Sequence, residues 1–201
     1  MQRHDPAMQI DIILFDGFDE LDAIAPYEVL RTAAQLGAPL DVTLVGAHGP
    51  ATITASHGAR IVVDRGPSET AGAVIVPGGG YFHGSGIRTE IERGVLPRAV
   101  AAAHARGAIV GSVCTGAMLL AATGLSAGRR MTTHHLAIED LRASGAEVVE
   151  ARFVDDGDVV SGGGVTSGLD LALHLVERFA DAEIAERVAR EIEYERVMAA
   201  P

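Results

Sequence analysis

The stretch AIVGSVCTGAMLLAATG, residues 108–124, joins an apolar run to a helix-forming run through the only cysteine of the chain, Cys114. Residues 108–113 are apolar or small, which predicts a buried strand. Residues 115–124 have the composition of a helix that ends at Gly124. A strand followed at once by a helix is the basic unit of α/β folds, so this stretch favours that class.

The rest of the chain repeats this alternation of strand and helix. Because the predicted strands are apolar on both faces, we expect a mostly parallel central sheet with helices on both sides, a three-layer sandwich. The segment EVVEARFVDDGDVVSGG, residues 147–163, contains an Asp-Gly turn signal and predicts a hairpin. The other predicted strands cover 9–15, 40–45, 73–77 and 129–134, and the other predicted helices cover 22–37, 87–106, 137–145, 166–180 and 181–198.

The length and composition limit the classes of protein to consider. A chain of 201 residues suits one domain over residues 1–201, with residues 1–8 peripheral or disordered. The formal charge of −11 disfavours nucleic acid and anionic membrane surfaces as partners. No apolar run is long enough to span a bilayer, and one cysteine cannot form an intrachain disulfide, so we expect a cytoplasmic protein.

All 16 basic residues are arginine, and the sequence contains no lysine. Schiff-base enzymes, pyridoxal phosphate enzymes and Walker-type phosphate loops each need a lysine amine, so these three classes are excluded. The sequence also lacks an HExxH motif and a second cysteine for a CxxC site, and we therefore expect no metal.

Cys114 lies in the pattern small, any, nucleophile, any, small, given by Ser112 to Gly116. At a strand-to-helix junction this pattern predicts a nucleophile elbow, in which a sharp turn raises the side chain above the sheet. The start of a helix also stabilises a thiolate, so we expect a lowered pKa for Cys114. The residues alone leave a second interpretation open, an inert buried thiol.

Other candidate groups follow the carboxyl ends of predicted strands. The glycines of PGGG, residues 77–80, would allow backbone N–H groups to approach a ligand. The alternative is that this segment is only a tight turn. Asp22 follows the first strand. If it is buried, its pKa would be raised and it could transfer a proton. The alternative is an ordinary aspartate at the N-terminus of a helix. His134 and His135 could place a base near the sulfur, or be packing residues.

Five separated motifs, LFDGFDELDAIAPYEVL, VIVPGGG, SVCTG, RRMTTHH and SGGGVTSGLDLAL, resemble the ThiJ/PfpI superfamily. This resemblance implies the flavodoxin-like fold of class I glutamine amidotransferases. Within the superfamily the chain is most similar to the isocyanide hydratase branch, which carries an aspartate where many members have a glutamate, here Asp22. PfpI-type peptidases follow the nucleophile with a histidine, whereas Thr115 stands here, which argues against a peptidase.

The resemblance implies that Cys114 attacks the terminal carbon of an isocyanide (isonitrile) and that Asp22 protonates it, which gives a thioimidate. Water then releases an N-substituted formamide, without a metal or organic cofactor. Thr115 and the backbone N–H groups near Gly79 and Thr115 would orient the substrate. The expected pocket and supporting residues are Tyr81, His134, Gly164 and Val165, with Leu21 and Ile24 as further candidates for an apolar lining.

Three other functions remain open from the sequence. One is a glyoxalase-like or deglycase-like activity, or another thiol hydrolase activity, on small molecules. A second is a redox sensor that uses the same cysteine, and a third is the ligand-sensing part of a transcription regulator, which the acidity of the chain disfavours. The family resemblance also implies a homodimer that acts on a small-molecule substrate.

Overall fold

The computed structural model describes residues 7–196 and contains a six-stranded sheet with helices packed against it. In chain order the strands are β1 (Met8–Leu14), β2 (Leu40–Gly46), β3 (Ala51–Thr54), β4 (Arg60–Val63), β5 (Ala73–Val76), β6 (Ile109–Val113), β7 (Arg130–Met131), β8 (Glu147–Val148), β9 (Phe153–Asp155) and β10 (Val159–Gly162). The helices are α1 (Glu20–Gln35), α2 (Ile87–Arg93), α3 (Val95–Ala105), α4 (Gly116–Ala122), α5 (Ile138–Ala143), α6 (Ser167–Phe179) and α7 (Ala182–Glu191).

The central sheet has the strand order β2-β1-β5-β6-β10-β9. All neighbouring pairs are parallel except β9 and β10, which form the hairpin expected around the Asp-Gly turn. Every residue of β5 and of β10 is buried, as expected for strands covered on both faces. The mixed α/β class and the mostly parallel sheet are therefore confirmed.

The helices form two packed groups. The first contains α1, α6 and α7, and the second contains α2, α3, α4 and α5. The core consists of aliphatic side chains from the sheet and from the helix faces turned toward it, with Ile12, Leu30, Ile75, Leu119 and Leu171 among the side chains that water does not reach. The parallel sheet brings the carboxyl ends of β1, β5 and β6 to the same edge, and the segments that follow these strands form the candidate site.

Several predicted boundaries were wrong. The single helix expected over 87–106 is two helices, because Gly94 adopts φ 68° and its N–H closes α2 on Glu90 and Ile91. Pro97 lies in the first turn of α3, where its missing N–H costs little, so a new helix can start there. Of the strand expected over 129–134 only β7 forms, and it pairs with β8 in a separate two-stranded sheet.

The ends of the chain also differ from the expectation. The residues expected to be peripheral, 1–8, include Met8, which begins β1; residues 1–6 lie outside the described part of the chain. The final helix ends at Glu191 and not at residue 198, because Glu193 takes a positive φ of 51° and breaks the helical path. Residues 197 and 198 of that predicted helix lie outside the described residues.

Candidate active site

Cys114 occupies the sharp turn between β6 and α4. Its φ of 56° lies in the left-handed region, which residues with a side chain rarely adopt. The turn is held on both sides, because the Cys114 N–H donates to the Gly162 carbonyl at 3.1 Å and the Thr133 hydroxyl donates to the Cys114 carbonyl at 2.9 Å. A Cβ at Gly116 would lie 2.2 Å from the Val76 carbonyl oxygen, which explains the small residue after the turn. The structure thus shows a strained backbone at the cysteine that the sequence pattern singled out.

Asp22 lies in the first turn of α1 with its side chain fully buried. Its Oδ2 accepts a hydrogen bond from the Gly78 N–H at 2.9 Å, whereas its Oδ1 has no hydrogen-bond partner among the described residues. Asp19, and not Asp22, caps the helix by accepting from the Leu21 N–H. Burial, with a smaller contribution from Asp19, raises the pKa of Asp22 to about 8. The carboxyl group can therefore hold a proton near neutral pH.

The pKa of the Cys114 thiol is shifted in the opposite direction from the one expected at the start of a helix. Burial and the neighbouring Asp22 carboxylate raise the pKa of Cys114 above its usual range, although the Thr115 N–H acts in the other direction. The helix start does favour the thiolate, but removal from water and the nearby negative charge outweigh it. The expectation of a lowered pKa is therefore wrong, and the sulfur and the carboxyl group titrate as a coupled pair.

The PGGG segment lies directly against Thr115. The Gly79 N–H donates to the Thr115 hydroxyl oxygen at 3.0 Å, so this hydroxyl fixes the loop. A Cβ at Gly78 would lie 2.5 Å from Thr115 Oγ1 and 2.9 Å from Asp22 Oδ2, so only glycine allows this approach. The Gly79 N–H is thus occupied by Thr115, and the Thr115 N–H is the backbone donor that acts on the sulfur.

A cleft of about 400 Å³ opens beside the cysteine. Of the residues expected at the site, Cys114, Thr115, Gly79, Tyr81, His134 and Val165 line this cleft. Asp22 is fully buried and is not among the residues that line the cleft. Gly164 lies on a neighbouring depression with Arg152 and Ser167, and neither Leu21 nor Ile24 lines the cleft.

His134 lies in the cleft, but no hydrogen bond joins it to Cys114 within residues 7–196. Its Nδ1 instead accepts from the Leu136 N–H at 3.3 Å, and its ring lies 4.2 Å from the ring of His135. Burial and the neighbouring His135 lower the pKa of His134, so the imidazole is biased toward its neutral form. The geometry gives His134 a place in the wall of the cleft and, among the described residues, no hydrogen bond to the sulfur.

The sequence interpretation missed several residues of the cleft wall. The hairpin of β3 and β4 brings Ser56 and His57 to the cleft, and its ATIT and RIVV strands around a Ser-His-Gly turn could have predicted it. No signal in the sequence pointed to the remaining ones, because their loops meet only in the folded chain. These are Phe82, His83 and Leu136, while Gly80 of the PGGG segment and Asp19, the cap of α1, also line the cleft.

Over residues 7–196, no cluster of three or more histidine, cysteine, aspartate or glutamate side chains could hold a metal ion. In the same range, no helix is both long and apolar enough to cross a bilayer.

The mostly parallel sheet, the strained cysteine and the adjoining cleft define an α/β protein built around a nucleophile elbow. The chain belongs to the DJ-1/PfpI family, whose profile matches residues 8–178. The likeness to ThiJ/PfpI proteins is thereby confirmed.

Individual relatives show how the chain compares within that family. It is 34% identical to an isonitrile hydratase from Pseudomonas putida over 194 residues, which covers 94% of this chain and 79% of the relative. It is 28% identical to a deglycase from Pyrococcus abyssi over 161 residues, which covers 77% of this chain and 89% of the relative. A ThiJ/PfpI family protein from Pseudomonas syringae superposes with a TM-score of 0.85 at 25% identity, over 98% of this chain and 83% of that protein.

Proposed function

We propose that the protein hydrates an isonitrile to an N-substituted formamide, with Cys114 as the nucleophile and Asp22 as the group that moves protons. The observation that carries this proposal is the buried carboxyl of Asp22 beside the strained cysteine, with a pKa of about 8 and with no hydrogen-bond partner for Oδ1 among the described residues. A carboxyl group with a pKa near neutral can take the proton of the thiol and deliver it to carbon, which suits a reaction in which a carbon atom must be protonated. The isonitrile hydratase relative supports the same substrate class.

The active form of the pair holds one proton, which the ionised Asp22 takes from the sulfur as the substrate binds, so that the carboxyl group is protonated and the sulfur is a thiolate. The thiolate attacks the terminal carbon of the isonitrile and forms a C–S bond. Asp22 gives its proton to the same carbon and becomes a carboxylate, so that no charge is left on a neutral thioimidate. The Thr115 N–H, which already acts on the sulfur, stabilises the thiolate before attack.

Hydration of the thioimidate reverses the role of Asp22. Its carboxylate takes a proton from water as the water oxygen attacks the carbon, and the proton then passes to nitrogen. The C–S bond breaks, the hydroxyl proton returns to Asp22, and the N-substituted formamide leaves. Water is the only other reactant, and the pair ends with the one proton with which it began.

The test is to mix the purified protein with p-nitrophenyl isocyanide and follow formamide formation. We expect turnover by the wild type, none above background with Cys114→Ala, and a loss of at least about 100-fold with Asp22→Asn, since proton transfer by a positioned group contributes this much. Circular dichroism of both variants checks that the fold is kept. Equal rates for the wild type and Cys114→Ala would exclude the proposal.

The deglycase relative favours a second candidate, a cysteine-dependent reaction on small carbonyl compounds. It predicts consumption of methylglyoxal that depends on Cys114 and exceeds the rate with isonitriles. Measuring both substrates with the same preparation decides between the two activities. The expected homodimer remains a prediction, which sedimentation velocity would test.

A further inference from the structure

Two large apolar side chains of the cleft beside Cys114 are exposed. Phe82 is 47% exposed and Leu136 is 62% exposed, and both line the cleft. Val165 lines it as well, on a third segment of the chain, and is partly buried. Three apolar side chains in one concave surface next to a reactive group are typical of a ligand site, because a bound apolar group removes their surface from water.

The position of Phe82 is set by its neighbour Tyr81. The two rings meet edge to face, with their centroids 5.0 Å apart. The Tyr81 ring is held in turn, because its hydroxyl donates to Asp140 at 2.9 Å and the Arg88 guanidinium lies 4.1 Å from the ring centre. Phe82 is therefore part of a preorganised wall, which lowers the free-energy cost of binding a ligand there.

Leu136 is held beside the same cleft by the segment that leads into α5. Its N–H donates to Nδ1 of His134 at 3.3 Å. Asp140, the acceptor of the Tyr81 hydroxyl, lies in the α5 helix that follows. The Tyr81–Asp140 hydrogen bond thus joins the segment that carries Phe82 to the segment that carries Leu136.

An acidic side chain, Asp19, also lines the cleft. Its charge contributes to the raised pKa values of Asp22 and Cys114, so the carboxylate acts on the reacting pair. The chain has no lysine, and no arginine of the described residues lines the cleft. The His57 ring lies 2.8 Å from the Glu20 carboxylate, which would balance a positive charge on it. An anionic substituent would therefore meet a negative charge in this cleft.

We propose that Phe82 and Leu136 determine substrate specificity by binding an uncharged apolar substituent of the substrate, and that Asp19 disfavours substituents with a negative charge. The choice of isonitriles as the reacting compounds rests on the proposed function. The preference for an apolar, uncharged substituent rests on the exposed side chains and the charge of the cleft.

The first test compares methyl isocyanide with benzyl isocyanide, since both carry the reacting group on a saturated carbon. The wild type should have the higher kcat/KM for benzyl isocyanide. Phe82→Ala and Leu136→Ala should each reduce this preference about 3- to 20-fold, mainly through KM, because the apolar area that the substituent covers is lost. Val95→Ala is the matched control and should keep the preference, because Val95 is 46% exposed but does not line the cleft.

The second test adds 4-(isocyanomethyl)benzoate, which is benzyl isocyanide with a carboxylate on the ring. Asp19→Asn should raise kcat/KM for this anion relative to benzyl isocyanide about 3- to 10-fold at low ionic strength, and less in salt. Asparagine can still cap α1 by accepting from the Leu21 N–H. The ratio of the two substrates cancels any change in the reactivity of Cys114. Asp16→Asn, which removes an exposed charge outside the cleft, is the control and should leave the ratio within about 2-fold.

The proposal is overturned if Phe82→Ala and Leu136→Ala keep the wild-type preference, or if Val95→Ala reduces it equally. A ratio in Asp19→Asn equal to that of the wild type would refute the selection against negative charge. Sedimentation velocity covers a different occupant of the apolar wall, a second copy of the chain. If both alanine variants dissociate a dimer and keep the preference, the two side chains belong to an interface and the proposal is wrong.

Turnover of methyl isocyanide that disappears in Cys114→Ala decides the proposed function separately. If no isonitrile is turned over, calorimetric binding of N-benzylformamide to the wild type, Phe82→Ala and Leu136→Ala still decides the role of the two side chains. A weakening of about 3- to 20-fold in each variant would support it. Equal affinities, or no binding to the wild type, would refute it.

Discussion

Replacing Asp22 by asparagine should make the protein more stable at alkaline pH, although the residue lies at the centre of the candidate site. Asparagine has the shape of a protonated carboxyl group, and its oxygen can still accept from the Gly78 N–H. The asparagine side chain does not ionise as the pH rises. The substitution therefore removes the free-energy cost of keeping a buried acid protonated.

The magnitude follows from the difference between the folded and unfolded pKa values. The pKa of Asp22 is raised from 3.8 to about 8. Between these values the folded protein binds a proton that the unfolded chain has released, so stability falls as the pH rises through this range and levels off above it. Each pKa unit is worth about 1.4 kcal/mol, so the wild type should lose about 4 kcal/mol more than Asp22→Asn between about pH 5 and about pH 8.5.

Urea denaturation followed by circular dichroism measures this difference, and the method suits a chain without tryptophan. Asp11→Asn is the matched control, because Asp11 is also fully buried but binds Arg65 at 2.7 Å. Asp11→Asn removes the ion pair with Arg65 and should destabilise the protein by about 1–3 kcal/mol near neutral pH. If the stability curves of the wild type and Asp22→Asn run parallel from acid to alkaline pH, the raised pKa and the proton-transfer role built on it are wrong.

Three further predictions concern the same site. The kcat/KM for an isonitrile should rise with pH and level off above about pH 8, because the form of the Cys114–Asp22 pair that holds one proton is populated as Asp22 titrates. A profile that falls over this range in stopped-flow assays would contradict the mechanism. Gly78→Ala should destabilise the protein by about 2 kcal/mol or more, because its Cβ would lie 2.6 Å from the Thr115 backbone nitrogen. Gly164→Ala, which meets nothing within 4 Å, should stay within about 0.5 kcal/mol in the same thermal melts. Thr115→Val should cost about 1–3 kcal/mol by leaving the Gly79 N–H without its acceptor, and Thr115→Ser should restore most of it.

The sequence predicted the features that depend on neighbours along the chain. The alternation of apolar strands with helices gave the α/β class, because periodicity and burial are local properties of each segment. The small residues around Cys114 predicted the elbow, since a sharp turn between β6 and α4 needs them wherever it occurs. The apolar surroundings of Asp22 likewise predicted the direction in which burial raises its pKa.

Only the tertiary structure decided the features that depend on segments far apart in the chain. The pKa of Cys114 is raised and not lowered, because the fold places the Asp22 carboxylate of α1 beside a buried sulfur after β6. The Gly79 N–H is occupied because β5 and α4 meet at Thr115. The loop that carries His57 reaches the cleft through its bonds to Glu20, more than thirty residues away along the chain. Local pattern fixes the shape of each segment, whereas charge and hydrogen bonding act through space, and those distances exist only in the folded chain.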